Sequence, residues 1–200
     1  MGGREPLEVV PANQVDCGDL ARLFGERGQA ANCWCQRYKL APGEAFRKFP
    51  VEERADRLRQ QTSCGQPGVD ATSGIVAFAG GEPVGWCAVE PRPAYSGLVR
   101  NARVPWDGRD EDKDDDTVWA LTCVFIRPGH RNQGIGRRLV AAAVDHACEQ
   151  GARALEGYPM TESSALVEEL HVGTIAMFTD AGLVGVTRPT KRRAVVRIDF

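Results

Sequence analysis

The sequence predicts a single α/β domain, residues 1–200, whose central sheet is mixed, mostly antiparallel and flanked by helices. The chain has 200 residues, of which 42% are hydrophobic, so it can bury one core without disulfide or metal staples. Segments with strand and helix periodicity alternate along it. A buried strand over 117–126, a helix over 134–150 and a strand over 154–158 form a strand–helix–strand crossover.

The first third of the chain contributes mainly helices. A short apolar run predicts a strand over 7–10. Apolar residues at helical spacing, followed by Gly25, predict a helix over 19–25. The segment 50–62 begins with proline and carries acidic residues in its first turn, which favours another helix.

Most of the predicted sheet follows these helices. β-rich runs over 74–79 and 83–89, separated by a Gly-Gly-Glu turn, indicate a hairpin. The run over 117–126 is apolar on both faces, which places it in the middle of the sheet. The preceding segment, 107–116, reads DGRDEDKDDD and must be exposed, because so many like charges cannot be buried unpaired.

The helix over 134–150 has the clearest periodicity in the chain. One apolar stripe runs along it and Gly151 ends it. His146 lies off that stripe, so we expect this side chain on the solvent side. The remaining predicted elements are a strand over 154–158, a helix over 173–181 and strands over 183–186 and 194–200.

Composition argues against several functional classes. The formal net charge of −2 disfavours a nucleic-acid binder that works through positive charge. The chain has no apolar run of about 18 residues, so we expect no membrane span. Its first residues also lack the order of a secretory signal. The seven cysteines are expected to be reduced thiols, and we expect a cytoplasmic protein.

The strongest functional signal lies in the segment 123–139, CVFIRPGHRNQGIGRRL. A buried strand ends at Pro128 and a helix opens at Gly134 and Gly136. Glycines at such a turn let the backbone approach a ligand, and the first N–H groups of a helix have no partner within it. Together with the helix dipole and the neighbouring arginines, the turn predicts a site for the phosphate groups of a cofactor.

The glycine spacing excludes two common nucleotide-binding loops. Gly129, Gly134 and Gly136 do not fit the G-x-G-x-x-G pattern of dinucleotide-binding folds. The first two fit the glycines of a P-loop, but Ile135 and Gly136 stand where that loop needs Lys and Ser or Thr. Neither dinucleotides nor nucleoside triphosphates are therefore favoured.

The same turn resembles the signature of a known superfamily. The segment 131–136, RNQGIG, matches the R/Q-x-x-G-x-G/A motif of the GCN5-related N-acetyltransferases, the GNAT superfamily. The preceding VFIRP looks like the end of that family's fourth strand, and MFTDAGL at 177–183 is similar to a later helix end. The segments CWCQRY, GWCAVEPR and LEGYP resemble one subgroup of such enzymes. The resemblance covers roughly residues 74–200 and, more loosely, the whole chain.

This resemblance implies acetyl-CoA as co-substrate. It places the pantetheine arm along the backbone at 124–126 and the pyrophosphate on N–H groups at 131–137. The thioester would lie where the strand at 117–126 splays from the strand at 154–158. An amine would attack the acetyl carbonyl directly, and the CoA thiol would leave. The implied cofactor-binding residues are Val124, Phe125, Ile126, Arg131, Asn132, Gln133, Gly134, Ile135, Gly136 and Arg137.

Two positions depart from the family's pattern of catalytic residues. Phe178 stands where the family often has a general-acid tyrosine, and Ala120 stands at about the place of a glutamate base. The strand at 154–158 offers a substitute, because Glu156 and Tyr158 are two residues apart and so face the same side. We therefore predict Glu156 as the general base and Tyr158 as the general acid.

The predicted function is acetyl transfer to a primary amine of a small molecule or peptide, and the sequence leaves that acceptor unidentified. A non-catalytic acyl-CoA-binding module of the same fold is the alternative, and a longer acyl donor is a third interpretation. We expect 1–72 to hold acceptor-site segments, and 73–200 to hold the core sheet and the acetyl-CoA site.

Two further features leave choices open. Cys33 and Cys35 lack a second matching pair of ligands, so we predict no metal site. The acidic segment 107–116 is predicted to be a solvated connection, with attraction of a cationic acceptor as the alternative. The sequence is compatible with a homodimer.

Overall fold

The computed structural model describes residues 6–161 and 170–200, in which the elements follow the predicted order. The strands are β1 (Leu7–Pro11), β2 (Ile75–Ala79), β3 (Glu82–Pro91), β4 (Val118–Ile126), β5 (Ala154–Gly157), β6 (Val184–Thr190) and β7 (Arg193–Asp199). The α-helices are α1 (Cys17–Phe24), α2 (Gly28–Cys33), α3 (Val51–Thr62), α4 (Ile135–Glu149) and α5 (Ile175–Asp180). None of these helices is long and apolar enough to cross a bilayer.

Among the described residues, seven strands form one sheet in the order β1-β2-β3-β4-β5-β7-β6. Every neighbouring pair is antiparallel except β4 and β5, which are parallel because α4 connects them as a crossover. Their pairing ends at Leu121 and Gly157, whereas β4 continues to Ile126. The sheet therefore splays as predicted, and the outer half of β4 has no β5 neighbour.

Helices cover both faces of the sheet. α4 packs on one face, where Leu139, Val140 and Ala143 join Leu121 of β4 in the larger core cluster. On the other face, α1 and α3 cover the side chain of Trp86, which is fully buried on β3. A sheet with both faces covered explains why the central strands are apolar on both sides.

The close approach of α5 to the end of β5 depends on Gly157. A Cβ atom added there would lie 2.1 Å from Cε1 of Phe178, whose ring is fully buried. We expect Gly157→Ala to lower the free energy of unfolding by about 1–3 kcal/mol, because the overpacked ring must shift. Urea denaturation measures this change. Gly185→Ala in β6 is the matched control, since a Cβ there meets nothing within 4 Å. Equal effects of the two substitutions would contradict the packing argument.

The structure corrects the prediction for His146. Its side chain is buried rather than solvent-facing, because the ring of Trp119 packs edge-on against it at 5.7 Å between centroids. Burial lowers the pKa of His146 from its ordinary value. The helical pattern alone misplaced this residue because Trp119 belongs to β4.

The prediction that all cysteines are reduced was also wrong. Cys17, at the start of α1, and Cys64, just after α3, form a disulfide with a Cα–Cα distance of 5.1 Å. This bond joins the two helices that cover one face of the sheet. The other five cysteines, all in the described part of the chain, are free.

Candidate functional site

A cavity of about 930 Å³ lies against the outer half of β4 and the start of α4. A second wall comes from the chain between Arg22 and Arg37, which includes the end of α1 and all of α2. His171, Gly173 and Met177, from α5 and the segment before it, complete the described lining. The cavity opens where β4 has lost its β5 neighbour, and its volume suits a ligand of coenzyme size.

The turn between β4 and α4 has the backbone geometry of an anion site. Asn132 and Gly134 have positive φ angles of 60° and 81°, which Asn and Gly tolerate best. α4 begins directly after Gly134, so the N–H groups of its first turn lack partners within the helix. A Cβ added at Gly134 would meet no atom within 4 Å, so this face of the turn is open to a ligand.

Positive side chains surround this turn. Arg127, Arg131 and Arg137 all line the cavity. Arg131 donates a long hydrogen bond of 3.4 Å to the carbonyl of Ile126, and Arg137 pairs with the half-exposed carboxylate of Asp180. The described residues that line the cavity include no Asp or Glu. The cavity is therefore suited to an anionic ligand.

The residues predicted to bind the cofactor lie together in the structure. Nine of them line the cavity: Val124, Phe125, Ile126, Arg131, Asn132, Gly134, Ile135, Gly136 and Arg137. Gln133 does not line it, because its side-chain amide donates back to the carbonyl of Gly129 at 3.1 Å and closes the turn. The three β4 residues lie on the half of the strand that extends beyond its pairing with β5.

A bulge interrupts β4 close to the point where it leaves β5. Ala88 of β3 pairs with Cys123, but the next residue, Val89, pairs with Leu121, so Thr122 is the extra residue. Such a bulge disrupts the local ladder and is common beside active sites. The irregular backbone here lies between the outer half of β4 and its paired half.

The predicted catalytic pair on β5 lies in a buried cluster of charges. Glu156 is fully buried, and its Oε1 accepts hydrogen bonds from Arg109 at 2.5 Å and Arg197 at 3.3 Å. Its Oε2 lies 3.4 Å from the guanidinium of Arg92 and accepts a hydrogen bond from the hydroxyl of Tyr158 at 3.1 Å. Every oxygen of this carboxylate therefore has partners within the protein.

β5 ends at Gly157, one residue before the predicted end of the strand, so Tyr158 lies just beyond β5 with its hydroxyl on the same side as Glu156. Burial, and then the charge of Glu156, raise the pKa of Tyr158 well above its ordinary value. Neither residue belongs to the described lining of the cavity. Ala120 is buried in the same cluster as Tyr158, and Phe178 packs on the opposite face of β5 against Gly157.

The wall opposite α4 includes Cys35 of the CWCQRY segment, for whose Trp34, Cys35 and Tyr38 the sequence favours a role in a substrate pocket or in the core. Trp34 and Cys35 both have left-handed backbones, with φ angles of 46° and 52°, which is unusual for side chains of this kind. The indole N–H of Trp86 donates to Sγ of Cys35 at 3.0 Å. A hydrogen bond with Cys123, followed by burial, raises the pKa of Cys35 well above its ordinary value. Cys35 lines the cavity, whereas Trp34 is buried beside it in the core cluster with residues of α1 and α3. Left-handed backbone at non-glycine residues is common near functional sites.

The acidic segment 107–116 is partly tied down by arginines. Glu111 pairs with Arg92 and Arg109 at 2.9 and 2.6 Å. Hydrogen bonds from Thr117 and Arg153 lower the pKa of Asp115 to about 2. No residue of this segment belongs to the described lining of the cavity.

Comparison with known proteins agrees with this geometry. The family described as Acetyltransferase (GNAT) family matches residues 35–164. No curated protein sequence matches the chain.

Several solved structures share the fold at low sequence identity. One is yncA from Salmonella typhimurium, solved with its cofactor acetyl-CoA, with a TM-score of 0.55, 13% identity, and coverage of 96% of this chain and 93% of that chain. An acetyltransferase of the GNAT family from Streptococcus pneumoniae has a TM-score of 0.52 and 16% identity, covering 97% and 99%. Ard1 from Thermoplasma volcanium has a TM-score of 0.51 and 12% identity, covering 96% and 97%.

Proposed function

The chain belongs to the acetyltransferase (GNAT) family, and on this premise we propose that it moves an acetyl group from acetyl-CoA to a primary amine by direct attack in a ternary complex. The observation that carries the proposal is that the glycine turn and the unpaired half of β4 open into one cavity. A phosphate-binding turn and a free strand edge side by side suit a ligand with a diphosphate and an extended amide arm.

We assign the two ends of the cofactor to different parts of the cavity. The N–H groups at Ile135, Gly136 and Arg137 would bind the pyrophosphate, and the surrounding guanidiniums would offset its charge. The amide groups of the pantetheine arm would pair with the backbone of Val124 to Ile126 in place of a strand. This arrangement directs the thioester toward the bulge at Thr122, where β4 meets β5.

In the reaction, the neutral amine attacks the acetyl carbonyl. A C–N bond forms, the C–S bond breaks, and the electron pair of that bond leaves with the CoA sulfur. The ammonium must first lose a proton to a base, and the developing oxyanion and the thiolate each need a donor.

The hypothesis that Glu156 is the base requires a specific rearrangement. Its carboxylate is held by three guanidiniums, so at least one of them must give way before Glu156 accepts a proton from the acceptor. If all three guanidiniums stay in place, Glu156 does not act as a base, and its carboxylate serves as the anchor of the cluster, meaning the anion that holds the three arginines together.

For Tyr158, the raised pKa favours a modified role. A phenol that loses its proton only well above its ordinary range stays protonated at neutral pH. It would therefore stabilise the leaving thiolate by donating a hydrogen bond rather than by complete proton transfer.

We also infer that 1–72 and 73–200 work as one domain, since the segment from Arg22 to Arg37 forms a wall of the cofactor cavity.

The proposed function is tested by mixing the protein, acetyl-CoA and a panel of primary amines and measuring free thiol. We expect thiol release that depends on one or more of the amines, together with calorimetric binding of acetyl-CoA to the protein alone. Binding of acetyl-CoA without thiol release for any amine would instead support the acyl-CoA-binding module. Competition between acetyl-CoA and longer acyl-CoA thioesters identifies the donor.

A further inference from the structure

Free thiols are concentrated in the cofactor cavity. Five of the seven cysteines are free, and three of these, Cys33, Cys35 and Cys123, are partly buried and line the cavity. Cys87 is buried and Cys148 is exposed near the end of α4, and neither belongs to the described lining. The thiols that a bound cofactor could meet therefore come from two walls, the side of α2 and the strand β4.

Cys123 lies on β4 between the bulge and the outer half of the strand. Its neighbour Thr122 is the extra residue of the bulge, and Val124 begins the backbone assigned to the pantetheine arm. Cys123 and Phe125 both pack against the core cluster that contains Trp86, whereas Val124 belongs to the cluster on the α4 face. The side chain of Cys123 therefore lies on the same face of the sheet as the cavity wall that includes the end of α1.

Coenzyme A, the product of the proposed reaction, ends in a thiol. In the proposed placement, the pantetheine arm runs along Val124 to Ile126 and directs the sulfur toward the bulge at Thr122. After acetyl transfer, the sulfur of the product would therefore lie beside the thiol of Cys123. Two thiols held side by side need only the removal of two electrons to become a disulfide.

The two other cavity thiols are less suited to react. The indole N–H of Trp86 donates to Sγ of Cys35 at 3.0 Å, which holds that thiol against β3. A hydrogen bond with Cys123, followed by burial, raises the pKa of Cys35 well above its ordinary value, and burial raises the pKa of Cys33. A thiol that stays protonated at neutral pH is a poor nucleophile. Cys35 can instead donate its S–H to the sulfur of Cys123.

We infer that Cys123 is a modification site, at which oxidation by a hydroperoxide joins the product coenzyme A to the protein as a mixed disulfide. The inference rests on the proposed function, since it uses the placement of the cofactor along β4. The attached coenzyme A occupies the acetyl-CoA site and stops turnover. Reduction by a dithiol releases coenzyme A and restores the free thiol of Cys123.

The modification takes two steps, written here for hydrogen peroxide. The thiolate of Cys123 attacks one peroxide oxygen, so that an S–O bond forms and the O–O bond breaks. The sulfur is oxidised to a sulfenic acid, and the peroxide is reduced to hydroxide. The thiol of coenzyme A then attacks the same sulfur, an S–S bond forms, and the S–O bond breaks. The departing hydroxide takes the thiol proton and leaves as water.

The first test uses mass spectrometry of peptides to find where coenzyme A attaches. The protein is treated with hydrogen peroxide in the presence of coenzyme A and glutathione at equal concentrations, and free thiols are then alkylated. We expect Cys123 to carry at least tenfold more coenzyme A than glutathione, because only coenzyme A is held beside it. Cys148 is the control within the same molecule: it is exposed and outside the described lining, so it should show no such preference.

A control for the chemistry replaces coenzyme A with acetyl-CoA. Acetyl-CoA has the same nucleotide and pantetheine arm, but its sulfur is acylated and cannot condense with a sulfenic acid. We therefore expect no coenzyme A on Cys123 in this sample. An equal yield of adduct from acetyl-CoA would contradict the proposed steps.

The second test measures inactivation. Amine-dependent thiol release is compared before and after treatment with hydrogen peroxide and coenzyme A, and each variant is referred to its own untreated rate. We expect at least a tenfold loss for the wild type and for Cys148→Ser, reversed once dithiothreitol has been added and removed. Cys123→Ser should lose less than twofold. An equal, reversible loss in Cys123→Ser would overturn the inference, and the adduct measurement on the wild type needs no variant to fold.

The outcomes separate this inference from the proposed function. Calorimetric binding of coenzyme A without its preferred attachment at Cys123, or attachment at Cys33 or Cys35 instead, overturns the inference and leaves the proposed function intact. Preferred attachment at Cys123 without thiol release for any amine preserves the inference and supports the acyl-CoA-binding module. Failure of the protein to bind coenzyme A overturns both.

Discussion

Gly134→Asp is expected to lower the affinity for acetyl-CoA by at least about 100-fold. The new carboxylate would point into the open space at the start of α4, where the cofactor's pyrophosphate is proposed to lie. Two like charges about 5 Å apart repel each other by roughly 3 kcal/mol at an effective dielectric constant of about 20, which corresponds to a factor of about 100 in affinity. Isothermal titration calorimetry with acetyl-CoA measures the change.

Gly134→Asn is the matched control for this substitution. Asn and Asp have nearly the same shape, and both tolerate the left-handed backbone of this position, where φ is 81°. A loss of affinity for acetyl-CoA that both variants share measures the effect of backbone strain and side-chain size. The difference in affinity between the Asp and Asn variants measures the effect of the charge. If the Asp and Asn variants bind acetyl-CoA equally, the N–H groups of this turn do not hold the diphosphate.

The cofactor side of the site could be predicted from sequence because it is local. The strand end, the glycine turn and the start of the helix occupy consecutive residues, so their spacing alone predicts which backbone groups are unpartnered. The splay of the sheet followed from family resemblance, and it lies between β4 and β5 as expected. Even here, the hydrogen bond from the Gln133 side chain back to the carbonyl of Gly129 depends on a side-chain conformation that the motif does not specify.

The contacts of the cavity wall between Arg22 and Arg37 could not be predicted because they join distant parts of the chain. The indole of Trp86, for example, reaches Cys35 across 51 residues. His146 was misplaced for the same reason, since the Trp119 ring that covers it belongs to another element. Periodicity identifies the apolar stripe of a helix but not the neighbours that cover its flanks.

The charge cluster around Glu156 is a second case in which contacts from distant segments could not be predicted from the sequence, and here those contacts affect stability more strongly. The spacing of Glu156 and Tyr158 correctly predicted that their side chains lie on one side of the chain, and the hydroxyl of Tyr158, just beyond the end of β5, donates to Glu156. The arginines that surround the carboxylate come from separate segments, at positions 92, 109 and 197. A pair that looks like a base and an acid in sequence is thus also the centre of a buried ionic network.

Glu156→Gln is therefore expected to reduce the free energy of unfolding by about 3–5 kcal/mol, because it leaves buried guanidiniums without a full counterion. Arg92 and Arg109 have little access to water, so hydration cannot replace the lost charge. Urea denaturation followed by tryptophan fluorescence measures the change. Glu111→Gln is the matched control: it removes a charge from the same two arginines, but its side chain is 31% exposed, so a loss below about 1 kcal/mol is expected.

The same variant separates the two roles of Glu156 when turnover is measured at a temperature where it remains folded. If the carboxylate is the base, kcat falls at least 100-fold in Glu156→Gln and the acidic limb of the pH–rate profile disappears, while acetyl-CoA still binds. If it is the anchor alone, stability falls but the shape of the pH–rate profile is unchanged. Full stability in Glu156→Gln would contradict the ionic network, because a buried charge cluster cannot lose its central anion without effect.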